Sequence, residues 1–240
     1  MSATRASHAA QAEDQRTLKA RKIEILLGPA LPDGASILDV GAGSGWIAHY
    51  FATRAARRLR VAAVDANDER AIREGYEFRR VSGPDLPFAD ASFDVVLSNH
   101  VIEHVGGEAE QLRHLAELRR VLRPQGTLYL AVPNRWSLVE PHYRLPFLSW
   151  LPAGLAGAYV RRAGRGTGYD CRPLGPYASR RLFRMAGLSW TDISAQALVA
   201  FAQLERPGSA LAAAAFVKRY ASTVFGWLSP TLIYLLKRER

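Results

Sequence analysis

Apolar residues in the first 134 positions form short runs that alternate with amphipathic stretches. The runs typical of buried strands are ASILDV, LRVAAVDA, FDVVLSNH and GTLYLAVP. The stretches with helical spacing are RTLKARKIEILL, WIAHYFATRAARR and EAEQLRHLAELRRVL. Gly28 and Pro29 are expected to end the first helix, and a turn at 124–126 is expected before the last strand. Strands that alternate with helices in this way predict a parallel sheet.

The chain changes character after position 134. The segment 135–172 is rich in Pro, Gly, Arg and aromatic residues, and a connection this long within a compact domain is usually functional. We therefore expect it to cover an active site. The part 173–240 is predicted to hold a helix near Tyr177 to Ala186, the strand LSWTDISA and an apolar C-terminal stretch. With 48% apolar residues, 240 positions suit one elaborated domain made of these parts.

Composition limits the cellular compartment and the kinds of partner that we expect for the protein. The single cysteine, Cys171, excludes an internal disulfide framework, and the N-terminal MSATRASHAAQAEDQR lacks the apolar run of a secretory signal. We therefore expect the chain in the cytoplasm. Its net charge of +10 suits nucleic acid, an anionic membrane surface or a phosphorylated substrate. Charge alone does not choose among these partners.

A cluster of glycines directly follows the first predicted strand and precedes a helix. The run DVGAGSG contains Asp39, Gly41, Gly43 and Gly45. Glycines let the backbone turn sharply and leave room for a ligand, and free N–H groups at the start of a helix favour an anionic group. The G-x-G-x-G spacing differs from the G-x-G-x-x-G of dinucleotide-binding proteins, which argues against a pyrophosphate ligand.

An acidic residue, Asp65, ends the second predicted strand 24 residues after Gly41. A carboxylate at this place can accept hydrogen bonds from both ribose hydroxyls of an adenosine. Glycine cluster and carboxylate together indicate a nucleoside-like cofactor. In the structural alternative, the glycines only form a tight turn and Asp65 only caps the next helix.

Four runs resemble the successive motifs of class I S-adenosylmethionine-dependent methyltransferases. They are ILDVGAGSGWIA, VAAVDAND, DLPFADASFDVVLSNHVIEHV and LRRVLRPQGTLYLAVPN, within about residues 35–134. The resemblance is closest to the branch of ubiquinone and menaquinone biosynthesis methyltransferases. It implies a Rossmann-like α/β fold with a mostly parallel seven-stranded sheet and helices on both faces. It also implies S-adenosylmethionine as the cofactor, bound by a core at 1–134 beneath a lid at 135–172, and 173–240 then completes the sheet and ends in an apolar extension.

The resemblance carries over a set of cofactor-binding residues. In the family, the first carboxylate and its glycines hold the methionine part, and the acidic residue after the second strand holds the ribose. The acidic residue after the third strand binds the adenine amino group, and the end of the fourth strand borders the methyl donor. These roles fall on Asp39, Gly41, Gly43 and Gly45, on Asp65 with Ala66, on Asp85 with Leu86, and on Asn99.

Methyl transfer to a hydroxyl group benefits from a general base, and histidine is the usual base near neutral pH. His100 lies at the carboxyl end of the predicted strand FDVVLSNH, which is the fourth strand in the family's order, and ligands collect at this end of the strands in open α/β sheets. His142 lies on the covering segment. Both are candidate catalytic residues, whereas His104 is expected to pack or to bond to the backbone. The other histidines are expected at the surface: His8, His49 and His114.

His100, Glu103 and His104 follow an i, i+3, i+4 spacing that would bring three metal-capable groups to one helical face. Some relatives carry Glu-x-x-Glu-His here and hold a divalent ion that aligns acceptor hydroxyls, and His142 would be a further ligand from the loop. Histidine in place of the first glutamate moves such a site toward softer metals and away from magnesium. We therefore expect no metal ion.

Two uncharged stretches, 145–160 and 220–236, are flanked by Arg or Lys. Their lengths of 16 and 17 residues, with proline inside both, fall short of the about 20 residues that cross a bilayer. Trp, Phe, Leu and Tyr between basic clusters suit an element that lies in a lipid surface, and a core helix or a dimer contact is the equal alternative. The basic run at 161–166 suits lipid head groups, a substrate phosphate or a solvated loop.

These features together favour O-methylation of a small lipophilic or membrane-presented acceptor. Quinone-like phenols, lipid-linked sugars and natural products are acceptors of this kind. The protein is then cytoplasmic, with contact to the inner membrane surface. A noncatalytic partner subunit that keeps the cofactor fold is one alternative, and the intact Asp39, glycines and Asp65 argue against it.

Other enzyme classes fit the sequence less well. RNA methylation is disfavoured because the basic residues are dispersed and no recognised RNA-binding module is present, so nucleic acid is not the expected partner. The Asn/Asp-Pro-Pro-Tyr/Phe signature of base and glutamine N-methylation is replaced by SNHV at 98–101. Cys171 lies outside any motif for carbon-5 pyrimidine methylation. The glycine spacing disfavours a nicotinamide dehydrogenase.

Overall fold

The computed structural model describes residues 13–205 and 229–239. In this part, seven strands form one sheet. The strands are β1 (Ser36–Val40), β2 (Arg60–Asp65), β3 (Glu77–Arg80), β4 (Phe93–Asn99), β5 (Leu122–Pro133), β6 (Leu188–Asp192) and β7 (Thr231–Arg238). The α-helices are α1 (Glu13–Leu27), α2 (Trp46–Thr53), α3 (Glu108–Val121), α4 (Ala153–Arg162), α5 (Pro176–Met185) and α6 (Ser194–Glu205).

The strand order across the sheet is β3-β2-β1-β4-β5-β7-β6. The first five strands of this order are parallel, and β7 runs antiparallel to both β5 and β6. The chain first builds outward from β1 to β3 and then crosses to β4 on the other side of β1. Ligands bind at such a switch point, outside the carboxyl ends of the strands. The predicted Rossmann-like, mostly parallel seven-stranded sheet is confirmed.

Alternate residues of the strands enter two separate cores. Leu38 and Val40 of β1 pack into a core with α3 and α5, whereas Ile37 packs into a core with α1, α2 and α6. Side chains alternate across a strand, so a strand with helices on both faces must be apolar at every position. This explains why the predicted central strands are continuous apolar runs.

Several boundaries differ from the prediction. Helix α2 ends at Thr53, earlier than the run WIAHYFATRAARR indicates. The predicted turn at 124–126 lies within β5, where the pairing with β4 shifts register between Phe93 and Val95. An irregular stretch of strand therefore replaces a separate turn. The apolar pattern identifies neither strand β3 nor helix α6, and only the family resemblance implies a third strand before Asp85.

For the C-terminal apolar stretch, the sequence leaves an element in a lipid surface and a core helix or dimer contact as equal alternatives, and its described part is a buried core strand instead of a surface element or a helix. Residues 220–228 lie outside the described residues, and the rest forms β7 between β5 and β6. Leu232, Tyr234 and Leu236 enter one core and Ile233 the other. A strand that pairs on both sides and is buried on both faces carries few charges for that reason.

The segment 135–172 builds a small core of its own above the carboxyl edge. Leu145, Leu148, Ala156 and Val160 are its buried members. The apolar stretch at 145–160 is therefore partly a core element, with α4 as its main helix. Among the residues described, no helix is both long and apolar enough to cross a membrane.

Candidate functional site

The loop between β1 and α2 is shaped by three glycines in the left-handed region. Gly41, Gly43 and Gly45 have φ values of 82°, 50° and 81°. A Cβ atom at Gly41 would lie under 3.0 Å from Val101, and one at Gly45 would lie under 3.0 Å from the Tyr76 hydroxyl. A Cβ at Gly43 would meet nothing within 4 Å. The loop is therefore packed at its two ends and open in the middle, as a ligand cradle requires.

Asp39, at the carboxyl end of β1, is almost fully buried at 1% exposure. Its Oδ2 atom has no hydrogen-bond partner. Burial and, to a smaller extent, the nearby Asp65 raise the pKa of Asp39, while Lys19 lowers it, and the net result is a pKa of about 7. A buried carboxylate with an unused oxygen fits a cationic group of a ligand, such as the ammonium of an amino acid.

Asp65, at the end of β2, is bonded to two backbone N–H groups. Its Oδ2 accepts from the Gly43 N at 2.8 Å, and its Oδ1 accepts from the Asn67 N at 3.1 Å. The carboxylate therefore holds the glycine loop. This agrees in part with the alternative in which these residues serve only the structure of the turn. Two carboxylate oxygens have about four lone-pair positions, so capacity for ribose hydroxyls remains.

The other predicted cofactor residues lie along the same edge of the sheet. Ala66 is exposed, and its carbonyl accepts from the Arg80 Nε at 2.9 Å. Asp85 is exposed on the loop after β3, and the neighbouring Leu86 is buried at 6% exposure. Asn99 ends β4 and is half-buried. Their roles toward the adenine and the methyl donor stay predictions.

His100 directly follows β4 and has a left-handed backbone with φ of 60°. Its N–H donates to the Ala131 carbonyl of β5 at 2.9 Å, which holds this conformation. Left-handed backbone is uncommon for a residue other than glycine and tends to occur at functional sites. The Nδ1 atom of His100 lies 3.3 Å from Oε1 of Glu103.

Glu103 is fully buried among three histidines. Its Oε1 lies 3.3 Å from His100 Nδ1, 3.6 Å from His142 Nε2 and 3.8 Å from His104 Nε2. Neither Glu103 oxygen has a partner in hydrogen-bond geometry. Burial raises the pKa of Glu103, but the contact with His100 and the nearby His104 lower it, and the net direction is downward. Burial also lowers the pKa of His100, against the pull of Glu103.

His142 reaches this cluster from the segment 135–172. The buried Glu140 accepts hydrogen bonds from His142 N at 2.8 Å and Tyr143 N at 2.6 Å, and its Oε1 lies 2.9 Å from His142 Nδ1. Glu140 therefore fixes the imidazole so that Nε2 faces Glu103. The rings of His100 and His142 are 5.7 Å apart. The two predicted catalytic histidines thus lie side by side, although 42 positions separate them in the sequence.

Comparison with known proteins gives this site a family context. Residues 38–130 match the family model described as a methyltransferase domain. An uncharacterized methyltransferase from Mycobacterium sp. (strain JLS) is 33% identical over 176 residues, 71% of this chain and 66% of that protein. One from Mycolicibacterium vanbaalenii is 34% identical over 179 residues, with shares of 70% and 65%. The matched region spans slightly under two thirds of these relatives' length. The chain contains a class I S-adenosylmethionine-dependent methyltransferase domain.

Solved methyltransferases share the fold of this domain. A methyltransferase from Haloferax volcanii, solved with the Trm112 methyltransferase activator, has a TM-score of 0.60 at 18% identity and full coverage of both chains. The 1,6-didemethyltoxoflavin N1-methyltransferase of Burkholderia thailandensis, solved with S-adenosylhomocysteine, has a TM-score of 0.57 at 18% identity, covering 98% of this chain and 84% of that one. At this identity the likeness extends to the fold alone.

The cofactor of the methyltransferase domain is S-adenosylmethionine. The residues at the carboxyl edge fit it on two observations of this chain. The Asp39 carboxylate has an unused buried oxygen for the ammonium of the methionine part. The space in front of Gly43 is open, so a ligand can approach the main chain there.

Two residues of the methyltransferase site were missed in the sequence. Burial, with Arg16 and Lys22 adding to its effect, lowers the pKa of Lys19 on α1 to about 8, while Glu103 and Asp39 act in the opposite direction. Its signal was a lysine beside Ala20 and Ile23 on the buried face of a helix. Glu140 is the second missed residue. The sequence feature that could have revealed it is its position two residues before the candidate histidine His142.

The prediction that His49 and His114 are surface residues is wrong. His49 is 7% exposed and its Nδ1 lies 3.0 Å from the Glu74 carbonyl oxygen. His114 is 4% exposed and its Nε2 lies 3.2 Å from the Ser98 hydroxyl. Helices α2 and α3 turn these faces toward the sheet, where an imidazole can be buried if it is bonded. His8 lies outside the described residues.

Proposed function

We propose that the chain is an S-adenosylmethionine-dependent O-methyltransferase whose acceptor is a small lipophilic molecule presented at an anionic membrane surface. The observation that carries the proposal is the pair of the half-buried His100 and the fully buried Glu103 at the carboxyl end of β4, with 3.3 Å between Nδ1 and Oε1. An imidazole beside a carboxylate is the arrangement of a general base for a hydroxyl group.

The cofactor-binding residues supply positioning. When bound, S-adenosylmethionine provides a methyl group on a sulfonium, which needs in-line alignment more than chemical activation. Asp39 holds the ammonium, Asp65 accepts from the ribose hydroxyls, and Gly43 leaves the space that the methionine part occupies. Asp85 with Leu86 borders the adenine, and Asn99 borders the methyl donor.

His100 takes the proton of the acceptor hydroxyl. Because burial lowers its pKa, the imidazole is neutral at pH 7 and has a lone pair to accept that proton. Glu103 stabilises the imidazolium that forms and keeps the ring oriented, as the carboxylate of a catalytic triad does. His142, held by Glu140, lies beside His100 and is the second candidate base.

The lipophilic nature of the acceptor is supported by an exposed aromatic patch on the segment 135–172. Trp136, Phe147 and Trp150 are 42%, 49% and 43% exposed. The rings of Trp136 and Trp150 are 6.2 Å apart, and those of Phe147 and Trp150 are 5.1 Å apart. Leu138 and Val139 extend the patch at 51% and 48% exposure. An exposed apolar surface of this kind marks an interaction site.

Charge complementarity favours an anionic lipid surface as the partner of this patch. The segment 135–172 carries six arginines against two acidic residues, and one of the two, Glu140, is buried. The run at 161–166 presents Arg161, Arg162 and Arg165 to solvent. Aromatic side chains beside exposed arginines are the composition of an interfacial membrane contact. This supports an acceptor among quinone-like phenols and lipid-linked molecules, which are also the acceptors that a resemblance to the ubiquinone and menaquinone branch implies.

A labelled-methyl assay tests the proposal. The purified chain is incubated with methyl-labelled S-adenosylmethionine and fractions of a lipid and metabolite extract, and products are identified by mass spectrometry. We expect label as a methyl ether in an apolar fraction. Replacing His100 with Ala should lower turnover by about 100-fold or more while calorimetry finds unchanged cofactor affinity.

The outcomes of this assay separate the alternatives. Label found only on nitrogen, or only in RNA, would overturn the O-methylation proposal. An H100A variant with wild-type turnover would remove the base role from this residue. The matched variant H49Q changes another buried histidine and is expected to retain turnover, because His49 contacts Thr53 and Glu74 instead of the Glu103 cluster.

A further inference from the structure

Three side chains with metal-binding chemistry meet where the segment 135–172 rejoins the core. They are His104, on the short 3-10 helix Ile102–His104, and the neighbouring Asp170 and Cys171. One ligand atom from each lies within 4.8 Å of the others. This group shares no residue with the pair of His100 and Glu103 that the proposed methyl transfer uses, but it adjoins that pair, because His104 Nε2 lies 3.8 Å from Glu103 Oε1.

The Cys171 thiol makes long sulfur hydrogen bonds within the group, and the same distances also suit a metal ion. Cys171 Sγ lies 3.8 Å from His104 Nδ1 and 3.6 Å from Asp170 Oδ1. Zinc binds thiolate sulfur at about 2.3 Å and imidazole nitrogen or carboxylate oxygen at about 2.0–2.2 Å, so the edges of its tetrahedron are about 3.5 Å long. Two of the three distances between ligand atoms are thus close to the edge of a zinc tetrahedron, and the third is within 4.8 Å.

The backbone holds the ligands in this arrangement independently of any ion. The Arg172 N–H donates to the Glu103 carbonyl at 2.8 Å. The buried Gln111 side-chain amide donates to the Ile102 carbonyl at 3.2 Å and to the Arg172 carbonyl at 3.0 Å. Arg172, directly after Cys171, is therefore tied to the 3-10 helix through both its N–H and its carbonyl. Rigid support of this kind preorganises a metal site.

Groups around the three ligands match the outer shell of a metal site. Tyr143 donates its hydroxyl proton to Asp170 Oδ1 at 2.7 Å, which orients that carboxylate. His104 directs Nδ1 toward Cys171, and its Nε2 lies 3.8 Å from the fully buried Glu103 carboxylate. Neither oxygen of Glu103 is otherwise hydrogen-bonded. A ligating histidine that faces a buried carboxylate with its other nitrogen is the common arrangement at zinc sites.

We propose that His104, Asp170 and Cys171 bind one Zn²⁺ ion, with the fourth position open to water. Thiolate and imidazole ligands select a borderline-soft ion over Mg²⁺ and Ca²⁺. The ion fastens the covering segment to the core beside the acceptor cavity. This site goes beyond the proposed function, because no step of methyl transfer passes through the ion.

The test measures metal binding directly on the full-length chain without a histidine tag. The protein is freed of metal with a chelator and titrated with Zn²⁺ against a chromophoric competitor, and separately with Co²⁺. We expect one equivalent of tight binding, a thiolate-to-cobalt charge-transfer absorption, proton release and a higher melting temperature with zinc. Cys171→Ser should abolish the charge-transfer band and weaken Zn²⁺ binding by about tenfold or more.

Variants at neighbouring residues give the discriminating control. His104→Gln should behave like C171S, whereas His100→Ala should keep both the band and the zinc affinity, because His100 belongs to the other cluster. If binding is lost in H100A and retained in C171S, the ion sits beside Glu103 and the proposal is wrong. Absence of stoichiometric binding also overturns it. Since the titrations are done without S-adenosylmethionine, their outcome does not depend on whether the proposed methyl transfer is correct.

Discussion

At the scale of single residues, the ionisation of Asp39 controls how the cofactor is held. Burial, with Asp65 nearby, raises the pKa of Asp39 to about 7. A bound ammonium requires the ionised carboxylate, so below pH 7 a proton must leave before the ligand can bind. Affinity for S-adenosylmethionine should therefore fall by about 25-fold between pH 7.5 and pH 5.5. Calorimetry across this range measures the effect.

The variant Asp39→Asn is the control for this prediction. It removes the titrating group but keeps the size of the side chain. Its affinity should be weaker at pH 7.5 and nearly constant down to pH 5.5. An equally steep pH dependence in D39N would show that another group binds the ammonium.

His114 makes the stability of the fold depend on pH. Burial lowers the pKa of His114 to about 4, against 6.5 for an ordinary histidine. The unfolded chain therefore binds a proton more readily than the folded one. The stability contributed by the neutral imidazole is complete above pH 6.5 and is lost as pH falls toward 4.

Between pH 7 and pH 5, this single group should cost about 2 kcal/mol of the free energy of unfolding. Guanidinium unfolding of the wild type and of His114→Gln at both pH values measures the difference. The glutamine variant should lose less stability on acidification. If both proteins lose the same amount, the buried environment of His114 is not what couples stability to pH.

At the scale of elements, the loop between β1 and α2 separates folding from ligand binding. An added methyl group at Gly43 meets no atom within 4 Å, whereas one at Gly45 meets the Tyr76 hydroxyl and the Ile72 carbonyl. Both positions have left-handed backbone, which costs a residue with a side chain about 1–2 kcal/mol. Gly43→Ala should therefore remain folded but lose cofactor affinity, because the methyl group occupies the open space.

Gly45→Ala is the matched variant, and it should lower the melting temperature more than G43A does. Thermal unfolding and calorimetry on both proteins give the two readouts. Unchanged cofactor affinity in G43A would mean that the ligand does not approach the loop at this glycine.

The same elements explain how much of the site the sequence reveals. Asp39 and Asp65 are recognisable because each ends an apolar strand, and the carboxyl ends of parallel strands meet at one edge. The contact of His142 with Glu103 could not be predicted, since it depends on how a 38-residue segment folds back over the sheet. Strand β3 is short and largely exposed, so it has no apolar run to identify it.

At the scale of the whole molecule, the position of β7 shows what a local pattern cannot contain. Its run of apolar residues was read as an extension, yet long-range pairing places it between β5 and β6. A buried strand and an interfacial stretch have the same composition, and only pairing partners distinguish them. The parallel half of the sheet was predictable because each strand there is followed by its own crossover.

The aromatic patch of the segment 135–172 allows a last prediction about how the molecule meets its acceptor. Phe147 and Leu138 are half-exposed neighbours, with the Phe147 N–H bonded to the Leu138 carbonyl at 2.7 Å. Vesicles with anionic lipid should bind the wild type more tightly than neutral vesicles, and added salt should weaken this binding. The double variant Phe147→Asn with Leu138→Gln should reduce partitioning by about tenfold or more, because the lost apolar burial contributes 1 kcal/mol or more per side chain.

The matched control is Ile25→Gln, which removes a similarly exposed apolar side chain from α1, at 50% exposure. It should leave vesicle binding unchanged, since this side chain lies outside the patch. Asparagine tolerates the left-handed backbone at Phe147, where φ is 55°, so the double variant should keep the wild-type melting temperature. Equal vesicle binding by all three proteins would contradict a membrane-presented acceptor. The acceptor of His100 would then be a soluble molecule, because neither the proposed base nor the cofactor site depends on the aromatic patch.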